Sequence, residues 1–174
     1  MWLSLDSDLQ YRFEGAIAPV SFFEHLPLLL APTDTLVLGC YDARPDIRRF
    51  LTSETLPEGW HQFHPTETWD VNRKEHPNGA AFHLRADARI LHQLVHFAES
   101  LTAHIDLCDH IAAYPHQQPL LIYHGTFWEP LFVSTRIERA SVEAFSRGIG
   151  VSFDEIDFNK TYFPATSSHD GRAV

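Results

Sequence analysis

The sequence predicts an α/β layered domain, on the α+β borderline, with a mixed sheet and helices packed on it. Three observations carry that reading. Strand-like and helix-like patterns alternate through the first half of the chain. Thr35 to Tyr41 (TLVLGCY) is almost uninterrupted apolar sequence, as in a strand covered on both faces. The stretch from Cys108 to Phe153 reads as a hairpin, a third strand and one capped helix. Parallel pairs are expected from the first half and an antiparallel hairpin from the second.

Taken in order, Tyr11 to Ile17 alternates loosely and reads as a strand, with Gly15 at a bulge. Pro19 suits a first helical position. Ser21 to Ala31 sets Phe22, Phe23, Leu26, Leu29 and Leu30 on one broad face of a buried helix, which Pro27 should kink or divide. After the Thr35 to Tyr41 strand, Asp42 is the expected N-cap of a helix over Asp46 to Ser53, with Pro45 near its first turn. Ile47, Phe50 and Leu51 give that helix its inward stripe.

The pattern fails from Thr55 to Gly79, a long irregular loop with three prolines, Trp60, Trp69, His61 and His64. Phe82 to Leu84 reads as a short strand. Asp87 then caps a helix expected to reach about Ile105. At 100° per residue, Leu91, Leu94, Val95, Ala98, Leu101 and Ile105 share one face. His92 and His96 lie on another, and His104 on the far flank.

Ile111 to Tyr114 and Pro119 to His124 form the hairpin, and Leu131 to Val133 the next strand. Glu138 to Arg147 carries Val142 and Phe145 at helical spacing, so both should be buried. Gly150 suits the left-handed position past the helix end, with Val151 packing back. The predicted order is β-α-β-α-β-α-β-β-β-α in one domain over 1–153. An arm over 154–174 follows, in which Phe158, Tyr162 and Phe163 dock and 165–174 is mobile.

Composition bounds the function. A 174-residue chain fits one domain and buries roughly 70 % of its unfolded surface without a covalent staple. Hydrophobic residues make up 44 % and aromatics 13 %, too many for a disordered chain. Only Cys40 and Cys108 occur; both lie in apolar surroundings and read as buried free thiols in a reducing cytoplasm. MWLSLDSDLQYR lacks the basic start and apolar core of a signal peptide. The longest apolar run, Leu26 to Ala31, is too short for a membrane span. A net charge of −10 disfavours nucleic acid and anionic membrane, both of which need clustered Lys and Arg. Twelve histidines mark the chain as histidine-rich, and their protonation near pH 6 would remove much of the negative charge.

Two segments, TLVLGCYDARPDIRRFL and EPLFVSTRIERASVEAFSRGIGV, resemble a family of small uncharacterised bacterial α/β proteins. The likeness spans roughly Tyr11 to Phe153, leaving out the middle loop and the tail. It implies the fold and transfers no catalytic residue.

Chemistry-bearing residues are sparse. His92 and His96 sit four apart as zinc ligands can, but the segment is HQLVH and lacks the glutamate of HExxH, so a solvated helix face is expected. Asp109 and His110 open one hairpin strand and His124 ends the other. Asp109 is placed to orient a histidine base, or His83, His110 and His124 to share a metal, although no metal and no cofactor is expected. There is no GxSxG, Walker glycine loop, GxGxxG or CxxC, so no nucleophile can be named. Phe127 and Trp128 stand side by side in the turn before Pro130, as a plug over the sheet or an anchor for a partner. Trp60, His64 and Trp69 could line a pocket with Tyr41 and Asp42, which leave the carboxyl end of the Thr35 to Tyr41 strand.

The expectation is a cytoplasmic, non-catalytic binding or protein-interaction domain that meets a protein partner or small molecule. The alternative is a small metal-assisted hydrolase, or another enzyme, using the histidine and aspartate cluster.

Overall fold

The computed structural model describes residues 8–57, 79–103, 106–115, 119–127 and 129–156. Within these residues seven strands form one sheet: β1 (Leu9–Phe13), β2 (Thr35–Cys40), β3 (Ala80–Arg85), β4 (His110–Tyr114), β5 (Leu121–His124), β6 (Leu131–Ser134) and β7 (Phe153–Glu155). Among the described residues, four α-helices accompany them: α1 (Pro19–His25), α2 (Pro45–Glu54), α3 (Ala88–Glu99) and α4 (Arg139–Ile149). The expected α/β layered class holds, and the element order matches as far as α4.

The sheet runs β3-β2-β4-β5-β6-β1-β7. All of its pairings are antiparallel, which corrects the expected parallel pairs in the first half. The reason lies in the crossovers. β3 passes through α3 to β4, and β6 through α4 to β7. Each crossover joins strands of like direction, as a helical connection does, but skips one place. β2 occupies the first gap and β1 the second, so every like-directed pair is split by an opposed strand.

The buried side chains of all four helices join one face of the sheet. There Leu36, Leu38, Phe82, Leu84, Ile111, Leu121, Tyr123 and Leu131 meet Phe22, Ile47, Leu94 and Phe145 in a single core. Alternate strand positions turn the other way. On that second face Val37, Ala112 and Tyr114 form one small cluster, and Leu9, Ile122 and Phe132 another. All six residues of β2 are buried, as its apolar run predicted. No described helix is long and apolar enough to cross a membrane.

Local signals explain most boundaries. Pro27 divides the first helical segment: α1 ends at His25 and a 3₁₀ turn covers Leu26–Leu28. Asp87 caps α3, its carboxylate accepting from Ile90 N–H at 2.9 Å. Gly150 closes α4 at φ 71°, and Val151 N–H reaches back to Ser146 O at 3.2 Å.

Other boundaries moved. β1 ends at Phe13, and its irregularity falls between Leu9 and Tyr11 rather than at Gly15. Asp42 does not cap α2. The residue before a proline is pushed to extended backbone, so Arg44, at ψ 141°, takes the N-cap and Pro45 starts the helix. α3 stops at Glu99, short of Ile105. Ser100 Oγ donates to Phe97 O, and Asp106 gathers the Thr102 hydroxyl and Ala103 N–H. These local bonds compete with helical ones. β7 was not expected; it pairs along β1 and carries the sheet past residue 153, where the arm was expected to begin. Phe158, Tyr162, Phe163 and 165–174 lie outside the described residues.

α4 packs closely on α1. A Cβ at Gly148 would run into the His25 imidazole ring. His25 cannot simply swing aside, because its Nδ1 is 2.8 Å from Ser21 O. A helical Gly→Ala change normally gains up to about 1 kcal/mol. Here overpacking should win, and Gly148→Ala should lose about 1–3 kcal/mol in urea unfolding. His25→Ala in the same chain should recover much of that loss. Phe145, fully buried against Phe13 and Phe22, should cost about 3–5 kcal/mol on truncation to Ala. A loss below about 1 kcal/mol there would mean that α4 does not face the core.

Candidate functional site at one end of the sheet

The end of β2, the start of β4 and the end of β5 come together, and with them most of the chemistry-bearing residues of the described chain. Antiparallel pairing puts these three termini on one edge. Tyr41 and Asp42 leave β2 there, Asp109 and His110 enter β4, and His124 leads into the turn toward Glu129.

Asp109 holds this end closed. Its N–H donates to Gly39 O at 2.8 Å, and its carboxylate accepts Tyr41 N–H at 2.9 Å. Its carbonyl accepts Thr126 N–H at 3.0 Å. One residue thereby extends the β2–β4 ladder beyond the strands and ties the 125–129 turn to it. It was expected to orient a histidine; its carboxylate accepts the backbone N–H of Tyr41.

His110 and His124 are register partners on the second face, and their ring centroids lie 4.5 Å apart. The hairpin does bring the two together, as expected. They differ in environment. His110 is 9 % exposed, and burial, then the neighbouring His124, lowers its pKa to about 3. His124 is exposed at its rim. Loss of water around its ring lowers its pKa, and the Glu129 carboxylate pulls it back up. His83 does not join them. It lies on β3 opposite Val37, with β2 between it and β4. Among the described residues no three His, Cys, Asp or Glu side chains are arranged to hold a metal ion. His92 and His96 are both exposed on α3, and His104 lies outside the described residues.

Under the sheet end, on the helix face, lie the two thiols. Both are buried and free. Cys40 Sγ donates to Leu107 O at 3.1 Å. Burial pushes both thiols well above their usual range, and Asp109 adds to the effect. Burial likewise raises the Tyr123 phenol. A thiol held protonated in this way is a poor nucleophile.

Phe127 was read as a plug or an anchor. The structure places it inside: it is 3 % exposed, with the rings of Phe22, Tyr123 and Phe23 at 5.9, 5.6 and 6.4 Å. Its φ of 71° is the left-handed region, which bulky residues rarely enter. Nothing in the sequence signalled that conformation. Trp60, His61, His64, Trp69 and Trp128 lie outside the described residues. Of the residues expected to meet a ligand or partner, Tyr41, half-buried, and Asp42, exposed, remain at the surface of this end.

No family model matches the chain, and no curated protein and no solved structure matches it.

Asp109 offers a direct check on this geometry. Asp109→Ala removes the acceptor for Tyr41 N–H and should cost about 1–2 kcal/mol in chemical denaturation. Asp109→Asn keeps an acceptor oxygen and should recover most of that loss. Equal losses in the two variants would show that the negative charge, not the hydrogen bond, holds the end closed.

Proposed function

We propose that this is a non-catalytic binding or protein-interaction domain of the cytoplasm. It would meet a protein partner or small molecule at the sheet end presenting Tyr41, Asp42 and the 125–129 turn. One observation supports this most. Among the described residues there, the groups that could do chemistry other than His124 are engaged or silenced. The Asp109 carboxylate accepts a backbone N–H. Cys40 and Cys108 are buried and held as thiols. His110, with its pKa lowered to about 3, is a weak base at neutral pH. Asp109 and Cys40 serve a binding surface well, because their side chains bond its backbone.

The partner is not nucleic acid on this reading. A chain with a net charge of −10 offers little to phosphates and suits a neutral or basic partner surface. Two reduced, buried cysteines agree with a cytoplasmic setting.

Two measurements test the reading. Neither thiol should react with a chromogenic disulfide at pH 8 until the chain unfolds. Fast labelling of either would restore a nucleophile and count against a non-catalytic role. Asp42→Lys alters an exposed residue, so stability should stay within about 0.5 kcal/mol. The same change should weaken a partner retained in stoichiometric amount from native extract by about ten-fold or more. Turnover of any substrate by the purified protein would contradict the reading outright.

A further inference from the structure

α3 offers a fixed platform on the outside of the domain. Asp87 caps it, and Ile90, Leu91, Leu94, Phe97 and Ala98 bury its inner stripe. His92 and His96 stand on its outer side, both exposed. Four residues carry an α-helix one turn and about 40° onward, so the two side chains lie one above the other. Their Cβ atoms are then about 5–6 Å apart. Both side chains lean the same way, toward the helix N-terminus, so the rings do not diverge.

The surroundings suit a cation. The Glu99 carboxylate lies 3.7 Å from Nδ1 of His96, which leaves Nε2 of that ring as the nitrogen for a ligand. A carboxylate on the second nitrogen is the usual companion of a metal-bound imidazole. His96 also stands in the last turn of the helix, where the backbone carbonyls favour positive charge. Arg89, three residues before His92, is paired with the Glu54 carboxylate. The segment HQLVH lacks the glutamate of HExxH. That glutamate is a general base and not a ligand, so its absence removes the protease base and leaves chelation untouched.

We propose that His92 and His96 form an exposed two-imidazole chelate for a divalent transition-metal ion of the zinc, nickel or copper type, held through one nitrogen of each ring. Imidazole suits these ions, whereas magnesium and calcium take oxygen donors. Nitrogens at about 2.0–2.1 Å from the ion must come within about 3.4 Å of each other. Rotation of two exposed side chains on one helix face reaches that separation. The helix holds the second imidazole beside the first, so capture by one ring raises the effective concentration of the other. Among the described residues no group of three His, Cys, Asp or Glu side chains is arranged to hold a metal. Water therefore completes the coordination, and the ion exchanges as it does not in a closed structural site. The chelate does not depend on what the sheet end binds.

Zinc titration of the full-length protein, followed by NMR of the histidine ring protons, tests this. Free Zn2+ is set by a metal buffer, so that other histidines do not deplete the ion. The proposal expects the His92 and His96 ring signals to shift together with one midpoint, and Mg2+ at far higher concentration to shift neither. His92→Gln should raise the midpoint read at His96 at least ten-fold, and His96→Gln should do the same to the midpoint read at His92. Both positions are exposed, so neither change disturbs the core. A smaller rise in either variant, separate midpoints for the two rings in wild type, or shifts that Mg2+ reproduces would overturn the chelate.

Discussion

The structure depends on one constraint: β2 is a strand buried at every position, with an antiparallel neighbour on each side. Its backbone groups must all be paired within the sheet, because no water reaches them and an unpaired buried N–H or C=O is costly. β3 and β4 supply the partners. Both are then fixed in register, and α3, which connects them, must cross over β2 on the helix face. The same logic repeats at the far end, where α4 connects β6 to β7 across β1. Two crossovers that each straddle a strand explain why helices and large hydrophobic side chains gather on one face and the smaller clusters on the other.

The candidate site is a continuation of this seam. Asp109 carries the β2–β4 ladder past the last strand pair and passes it on to the 125–129 turn. Burial that stabilises the sheet also sets the chemistry of its end. It raises the thiols of Cys40 and Cys108, lowers His110, and leaves Asp42 and Glu129 exposed. Stability and reactivity pull against each other here, and stability has won at each of the buried groups.

Where the sequence was legible, the signal was local and had no competitor. Val142, Phe145 and Gly150 located α4 and its end, because helical spacing and a left-handed cap need only neighbours in the chain. Pro27 and Asp87 worked for the same reason. The hairpin that joins His110 to His124 was readable, since its loop is short. Spatial order was not. Nothing in an alternating series of strands and helices says that a crossover skips one place, so parallel pairs were expected where opposed strands intervene. Asp42 misled because Pro45 dictates the backbone of Arg44 and starts the helix too far along for an earlier cap. α3 was drawn too long because Ser100, Thr102 and Asp106 turn the chain while the apolar spacing of Leu101 and Ile105 runs on. β7 escaped notice because two of its three residues are exposed and acidic. At the site, the pairing of two histidines could be inferred, but the burial of one and the strained backbone of Phe127 arise from tertiary packing and leave no local trace.

The claim that the β2–β4 seam holds both fold and site is tested most directly by native-state hydrogen exchange at neutral pH, read at the Tyr41 amide. That N–H lies beyond the last residue of β2 and donates to the Asp109 carboxylate. Tyr41 should exchange with an opening free energy equal to that of Leu36 and Leu38, the value for global unfolding. Exchange at Tyr41 through a local opening several kcal/mol easier than that of the β2 interior would contradict the account, because the seam would then end where the strands end.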